Sequence, residues 1–199
     1  MNRFAAQLDI IYDFFASPFQ AMESVRGNRP VLLGLMAYLA SGMTWIIVQA
    51  FPGTFNAEIL SWIPWPMLLA MGGVVAVIVG ICLTGILHIT AELFGGNGSA
   101  LGLYVLLGLS ELVWVFYLPI LFLANFLFGY TGVFHFAALL VLGTISLSLK
   151  ARSIRDNYGF TSRRAWTVLF LPYTIAVLLG AGFLAYLIGS AVVTALKLI

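Results

Sequence analysis

The sequence predicts an all-α, polytopic membrane helical bundle with five transmembrane helices, preceded by short amphipathic or interfacial helices. Of its 199 residues, 62% are hydrophobic and 8% are charged, whereas soluble domains contain about 25% charged residues. The apolar residues also form five long runs, and about 20 apolar residues in a helix cross a hydrocarbon layer about 30 Å thick. Composition and run length together exclude a soluble globular domain.

The five apolar runs define a single membrane domain over residues 31–199. The runs cover residues 31–51, 66–93, 101–127, 132–149 and 166–196. No internal repeat, linker or second domain interrupts them. The one cysteine, Cys82, lies inside the second run, so no intrachain disulfide can form.

Residues 1–30 are predicted to form cytoplasmic or interfacial helices. Apolar residues recur at helical spacing at Phe4, Leu8, Ile11 and Phe15. This spacing predicts a helix that lies in the membrane interface or packs beneath the bundle. Ser17 and Pro18 are typical of the cap and first position of a second short helix. Asp9 and Asp13 break the apolar core that a signal peptide needs, so no cleaved signal is predicted.

The basic residues predict the orientation of the bundle. Eight of the nine lysines and arginines lie in residues 1–30 or 150–165. The predicted cytoplasmic basic surface consists of Lys150, Arg152, Arg155, Arg163 and Arg164. With five spans, both segments fall on one side, which the positive-inside bias makes cytoplasmic. The amino terminus is therefore expected inside and the carboxyl terminus outside, with residues 94–100 also on the cytoplasmic face.

The second run carries a stripe with a period of four residues. Its members are Gly72, Ala76, Gly80, Thr84, His88 and Glu92. Residues four apart share a helical face, and small residues allow close helix packing in lipid. Gly72, Ala76 and Gly80 are thus predicted packing positions. His88 and Glu92 either form the polar end of this face or share a proton or a cation.

Glu111 is a carboxylate within the third run. It lies about 15 Å along a helix from the start of that run, near the midplane of the bilayer, and no lysine or arginine is predicted at that depth. A charge there costs about 2.5 to 3.5 kcal/mol. Glu111 is interpreted either as a protonated group that hydrogen-bonds a neighbouring helix or as a functional carboxylate in a wet cavity. Gly108 would admit a close neighbour, for which the Gly80, Thr84 and His88 face is the candidate.

Residues 94–100, FGGNGSA, predict a tight turn between two helices, with Ser99 capping the second helix. They lack the Gly-Lys-Ser/Thr ending of a phosphate loop. Gly159 followed by Thr161 or Ser162 predicts a break and a new helix start inside the basic loop.

Catalytic and metal-binding motifs are not found. A stable metal site needs three or four ligands, and the two histidines, His88 and His135, are predicted near opposite membrane faces. No nucleophile motif occurs. The sequence therefore predicts no enzyme activity, no metal or other cofactor, and no nucleic-acid partner.

Three segments together resemble the Yip domain family, the Ypt-interacting membrane proteins. They are the short "SPF" helix, the "AELFGGNGSA" turn and the "LKARSIRDNYGFTSRRA" segment leading into the fifth run. The resemblance covers residues 15–185 and implies a five-span fold without a catalytic residue. Eukaryotic members have a long amino-terminal region with an Asp-Leu-Tyr-Gly-Pro motif and bind Rab-type GTPases. Both features are absent here, so the chain is similar to the short prokaryotic branch, which implies the cytoplasmic membrane.

Two functions remain open from the sequence. The first is a non-enzymatic integral membrane protein that organises membrane or recruits protein partners through its cytoplasmic face. The alternative is a small proton- or cation-coupled transporter or channel that uses Glu111, with His88 and Glu92 nearer the cytoplasm. The lipid bilayer is an expected partner in either case, and a homo-oligomer is also open.

Overall fold

The computed structural model describes residues 3–16, 21, 23–25, 27, 30–49, 62–129 and 132–196. Within these residues the chain is helical and contains no strand. The helices are α1 (Arg3–Ala16), α2 (Val31–Gln49), α3 (Trp65–Leu93), α4 (Ala100–Glu111), a 3₁₀ segment (Leu112–Phe116), α5 (Tyr117–Phe128), α6 (Gly132–Tyr158) and α7 (Ser162–Leu196). Five helical stretches are long and apolar enough to cross a membrane, counting Ala100–Phe128 as one. The predicted all-α membrane bundle is confirmed. The predicted cap at Ser17 and Pro18 lies outside the described residues.

The fourth apolar run is shorter than the helix that contains it. The sequence ends this run at residue 149 and predicts a loop over 150–165, whereas α6 continues to Tyr158. Charged residues end an apolar run without ending a helix, because lysine and arginine are good helix formers. The predicted break does occur at Gly159, which has a φ of 69°. Thr161 Oγ1 then accepts a hydrogen bond from the Arg164 backbone N–H at 3.4 Å.

Helix α2 packs against both α3 and α4 through glycines. Gly42 of α2 packs against Gly72 of α3. A Cβ added at Gly72 would lie 2.7 Å from the Gly42 carbonyl oxygen. Gly34 of α2 packs against Gly108 of α4. A Cβ added at Gly108 would lie 2.8 Å from the Gly34 carbonyl oxygen. Such close approach is how helices pack in lipid without a hydrophobic driving force. The contacts help to bury α4, in which every residue over 102–110 is buried.

The turns at residues 94–99 and 159–161 lie at one end of the bundle, which we call the basic end. The larger hydrophobic cluster is centred there and joins α1, α2, α3, α4, α6 and α7. A smaller cluster around Tyr117 and Leu142 fills the far end.

Helix α1 packs beneath the basic end through a face that its spacing predicted only in part. Ile10 and Phe14 are buried in the larger cluster, and Ile11 from the predicted apolar face is partly buried against it, whereas Leu8 and Phe15 from the same face are exposed. The helix therefore packs under the bundle and also keeps apolar side chains pointing outward. The expected packing under the bundle is thus present, and the expected position in the membrane interface stays a prediction.

The third span changes from α-helix to 3₁₀-helix directly after Glu111. The 3₁₀ segment runs over Leu112–Phe116, and Pro119 lies in the first turn of α5. Proline has no N–H to donate to the carbonyl four residues earlier. Pro119 thus leaves the Val115 carbonyl at the end of the 3₁₀ segment without this donor, and the change of helix type positions Glu111 at the end of the buried helix α4.

Candidate functional site

Glu111 forms a partly buried ion pair with Lys150 of α6. Lys150 Nζ lies 2.6 Å from Glu111 Oε1, and the two side chains are 13% and 16% exposed. The prediction that no basic residue lies at the depth of Glu111 was wrong. Lys150 was also predicted on the basic surface, but it points into the bundle instead.

The pairing follows from the direction of the two helices. Helix α4 begins at the basic end and α6 ends there. Glu111 follows Ser99 by 12 residues, and Lys150 precedes Gly159 by nine. At about 1.5 Å rise per residue, the two Cα positions differ in height by about 5 Å. The long lysine side chain can cover that difference.

The pair lies closer to the edge of the hydrocarbon layer than the sequence suggested for Glu111. Residues 132–149 of α6 contain no Asp, Glu, Lys or Arg. These 18 residues span about 27 Å, which nearly fills a hydrocarbon core about 30 Å thick. Lys150 therefore marks the boundary of that core, where a paired charge is less costly than at the midplane.

A cavity of about 470 Å³ lies between α2, α3 and the start of the 3₁₀ segment. Its lining consists of Ser41, Gly42, Trp45, Ile46, Met71, Gly72, Val75, Ala76, Val79, Glu111 and Trp114. Glu111 is the one charged residue among them. Met71, Val75 and Val79 are exposed on the outside of the bundle. The cavity is thus a mostly apolar space with one carboxylate that is already paired.

Tyr38 of α2 fills the space beside both Gly80 and Gly108. An added Cβ at Gly80 would lie 2.5 Å from the Tyr38 ring, and one at Gly108 would lie 3.1 Å from it. The predicted close neighbour of Gly108, the Gly80, Thr84 and His88 face, is therefore replaced by α2. Thr84 Oγ1 donates to the Gly80 carbonyl oxygen at 2.7 Å.

His88 and Glu92 lie together at the basic end. His88 Nδ1 lies 2.5 Å from the Tyr158 hydroxyl oxygen, and His88 Nε2 lies 3.4 Å from Glu92 Oε1. His135 is at the far end, 3.1 Å from the Tyr117 hydroxyl oxygen. Within the described residues no three His, Cys, Asp or Glu side chains form a group that could hold a metal ion. The His88 contacts connect α3 to the end of α6.

The turn over residues 94–99 is fixed to the end of α6. Asn157 Nδ2 donates to the Ser99 carbonyl oxygen at 3.0 Å. An added Cβ at Gly98 would lie 2.5 Å from the Tyr158 ring, so this glycine is required for packing as well as for the turn. Ser99 Oγ accepts a hydrogen bond from the Gly102 N–H at 3.2 Å, so the structure contains the predicted helix cap.

Asp156 organises two arginines at the basic end. Arg155 Nε lies 2.6 Å from Asp156 Oδ1, and Arg152 Nε lies 3.9 Å from Asp156 Oδ2. Asp156 was not among the predicted site residues, although the spacing of four between Arg152 and Asp156 is typical of a helical ion pair. Arg163 and Arg164 are exposed at the start of α7. The Arg164 guanidinium lies 5.5 Å from the centre of the Phe160 ring.

Comparison with known proteins gives no relative for this chain: no protein-family model, no curated protein and no solved structure matches it. The resemblance to the Yip domain family therefore stays a prediction.

Proposed function

We propose that this chain is a non-enzymatic integral membrane protein that organises membrane or recruits partners through its basic end, which faces the cytoplasm. The observation that carries the proposal is the construction of this end. Its segments come from distant parts of the chain and are held together by one hydrophobic cluster. A short prokaryotic-type Yip protein would fit this description.

The basic end supports the proposal because its binding groups are held in place before any partner arrives. Phe14 of α1, Ala91 of α3 and Tyr158 of α6 belong to the same buried cluster. The Asn157 hydrogen bond to Ser99 adds the 94–99 turn to this unit. A surface ordered in advance loses less conformational entropy when it binds. The four arginines of this surface are thus presented on a rigid support.

The ion pair supports a structural role for Glu111. A carboxylate that binds transported ions must be free to exchange its partner, whereas Glu111 Oε1 is already paired with Lys150 Nζ at 2.6 Å. The pair also joins α4 to α6 next to the interrupted third span. These observations favour the basic end over the membrane interior as the functional part of the chain.

The proposal is tested by photocrosslinking in cells. A photoreactive amino acid replaces Thr161, which is exposed at the basic end, and in a matched variant it replaces Val133, which is exposed at the far end. We expect a discrete crosslinked protein from position 161 that is lost when Arg163 and Arg164 are both changed to glutamine. The same product from both positions, or none from position 161, would contradict the proposal.

A second candidate function is a proton- or cation-coupled transporter or channel. The observation that favours it is the cavity of about 470 Å³ that reaches Glu111. In this function Glu111 would bind a proton or cation that arrives through the cavity. The Lys150 ammonium would compete with that ion for the Glu111 carboxylate. The two functions differ in one measurable property, because only a transporter moves ions across a sealed membrane.

A further inference from the structure

We propose that the cleft between α6 and α7 at the basic end binds the phosphate group of an anionic phospholipid, an inference that rests on the proposed function. The cleft has a volume of about 230 Å³. Its lining consists of Ser148, Ala151, Arg152, Arg155, Ser162 and Trp166. Two arginines, two hydroxyl groups and one indole thus surround one small space.

The charge in the cleft favours an anion. Asp156 pairs with both Arg152 and Arg155, so the three side chains together carry one net positive charge. A guanidinium has five N–H donors, and a single carboxylate cannot satisfy those of two arginines. The remaining donors suit a phosphate, whose oxygens accept several charge-assisted hydrogen bonds at once. Asp156 therefore holds the two arginines in position without neutralising the cleft.

The height of the cleft favours a lipid over a soluble phosphate. Lys150 marks the end of the uncharged part of α6, and Arg152 and Arg155 lie about 3 Å and 7.5 Å further along the helix. The headgroup region extends about 5 to 7 Å beyond the hydrocarbon core on each side. Trp166, on the opposite wall, is of the residue type that is enriched at this level of the membrane. The arginines are thus level with the lipid phosphates of the same leaflet.

The surface below the cleft suits the acyl chains of the same lipid. Trp166 stacks on Phe170, with ring centres 5.5 Å apart. Phe170 and Tyr173, further along α7, are both exposed on the outside of the bundle. The volume of the cleft, about 230 Å³, leaves room for a headgroup phosphate. It is smaller than the pockets of about 300 to 1,000 Å³ that enclose drug-sized ligands.

The test measures lipid retention by the intact protein. Full-length protein is exchanged into nanodiscs of mixed phosphatidylglycerol and phosphatidylcholine. The protein is then released from the nanodiscs, and the lipids that stay bound to it are counted by native mass spectrometry. We expect retained phosphatidylglycerol to exceed phosphatidylcholine by about tenfold, in line with the attraction of anionic lipid to nearby basic residues. Changing Arg152 and Arg155 to glutamine should abolish this preference.

Two controls separate the cleft from general charge and from misfolding. Changing Arg163 and Arg164 to glutamine removes two positive charges, as the Arg152 and Arg155 variant does, but from residues outside the cleft lining. This variant should keep the preference for phosphatidylglycerol. Arg152→Gln alone removes a half-exposed side chain and should fold while losing most of the preference. An equal loss in the Arg163 and Arg164 variant would overturn the proposal, and so would retention without headgroup preference.

Soluble glycerol phosphate distinguishes the two sources of phosphate. If millimolar glycerol phosphate displaces phosphatidylglycerol, the cleft is a soluble-phosphate site and the lipid proposal is wrong. Crosslinking from position 161 and lipid preference are both measured on the protein with all four arginines present. A crosslink without lipid preference would overturn the lipid site alone, whereas the absence of both would overturn the proposed function as well.

Discussion

Replacing Lys150 with methionine will destabilise the folded protein by up to about 3 to 5 kcal/mol, which is what it costs to leave a fully buried charge without its partner. Glu111 is 16% exposed and lies 2.6 Å from the lysine nitrogen, so removal of the ammonium leaves a partly buried carboxylate without its partner. Glu111→Leu should be destabilising for the same reason. Reversible unfolding in detergent micelles, followed by helical circular dichroism, measures both changes.

The double variant Glu111→Leu with Lys150→Met provides the control. It removes both charges and keeps side chains of similar volume, so its stability should return to that of the natural protein or exceed it. The difference between the double variant and the sum of the single variants gives the coupling energy of the pair. Simple additivity would mean that the two side chains do not form a stable pair.

Gly42→Ala will destabilise the protein by about 1 to 3 kcal/mol or more, the range for inserting atoms into a packed interior. An added Cβ would meet the carbonyl oxygen of Gly72 and would lie 2.6 Å from the Ala76 side chain. A backbone carbonyl cannot rotate away like a side chain, so α2 and α3 must separate. The same unfolding measurement detects this loss.

Gly85→Ala in α3 is the matched control for Gly42→Ala. An added Cβ at Gly85 would meet no atom within 4 Å, and alanine favours a helix over glycine by about 1 kcal/mol. We expect this variant to be as stable as the natural protein or slightly more stable. Equal destabilisation by the two changes would show that close packing at Gly42 is not what matters.

The spans and turns were predictable because each depends on local sequence. Apolar runs set the long helices, Ser99 caps α4, and Gly159 marks the break before α7. The end of α6 was not predictable from hydropathy, since Lys150 and Arg152 end an apolar run but continue a helix. The buried face of α1 was not fully predictable from its spacing either, because it depends on the helices of the bundle that pack against it.

The central ion pair could not be predicted from either residue alone. Glu111 and Lys150 are far apart in sequence, and their contact depends on how α4 and α6 pack. A usable signal was nonetheless present: the two residues lie at similar distances from turns that were both assigned to the cytoplasmic side. The cleft was missed for a related reason, since Trp166 and Arg152 become neighbours only when α7 folds back along α6.

Ion flux in sealed proteoliposomes that contain the natural protein or the Glu111→Leu and Lys150→Met double variant tests whether Glu111 carries ions. We infer that Glu111 belongs to a structural ion pair and that the basic end carries the function. We therefore expect proton and cation flux no higher than in protein-free vesicles for both proteins. Flux through the natural protein that disappears in a folded double variant would contradict the claim and establish the transporter.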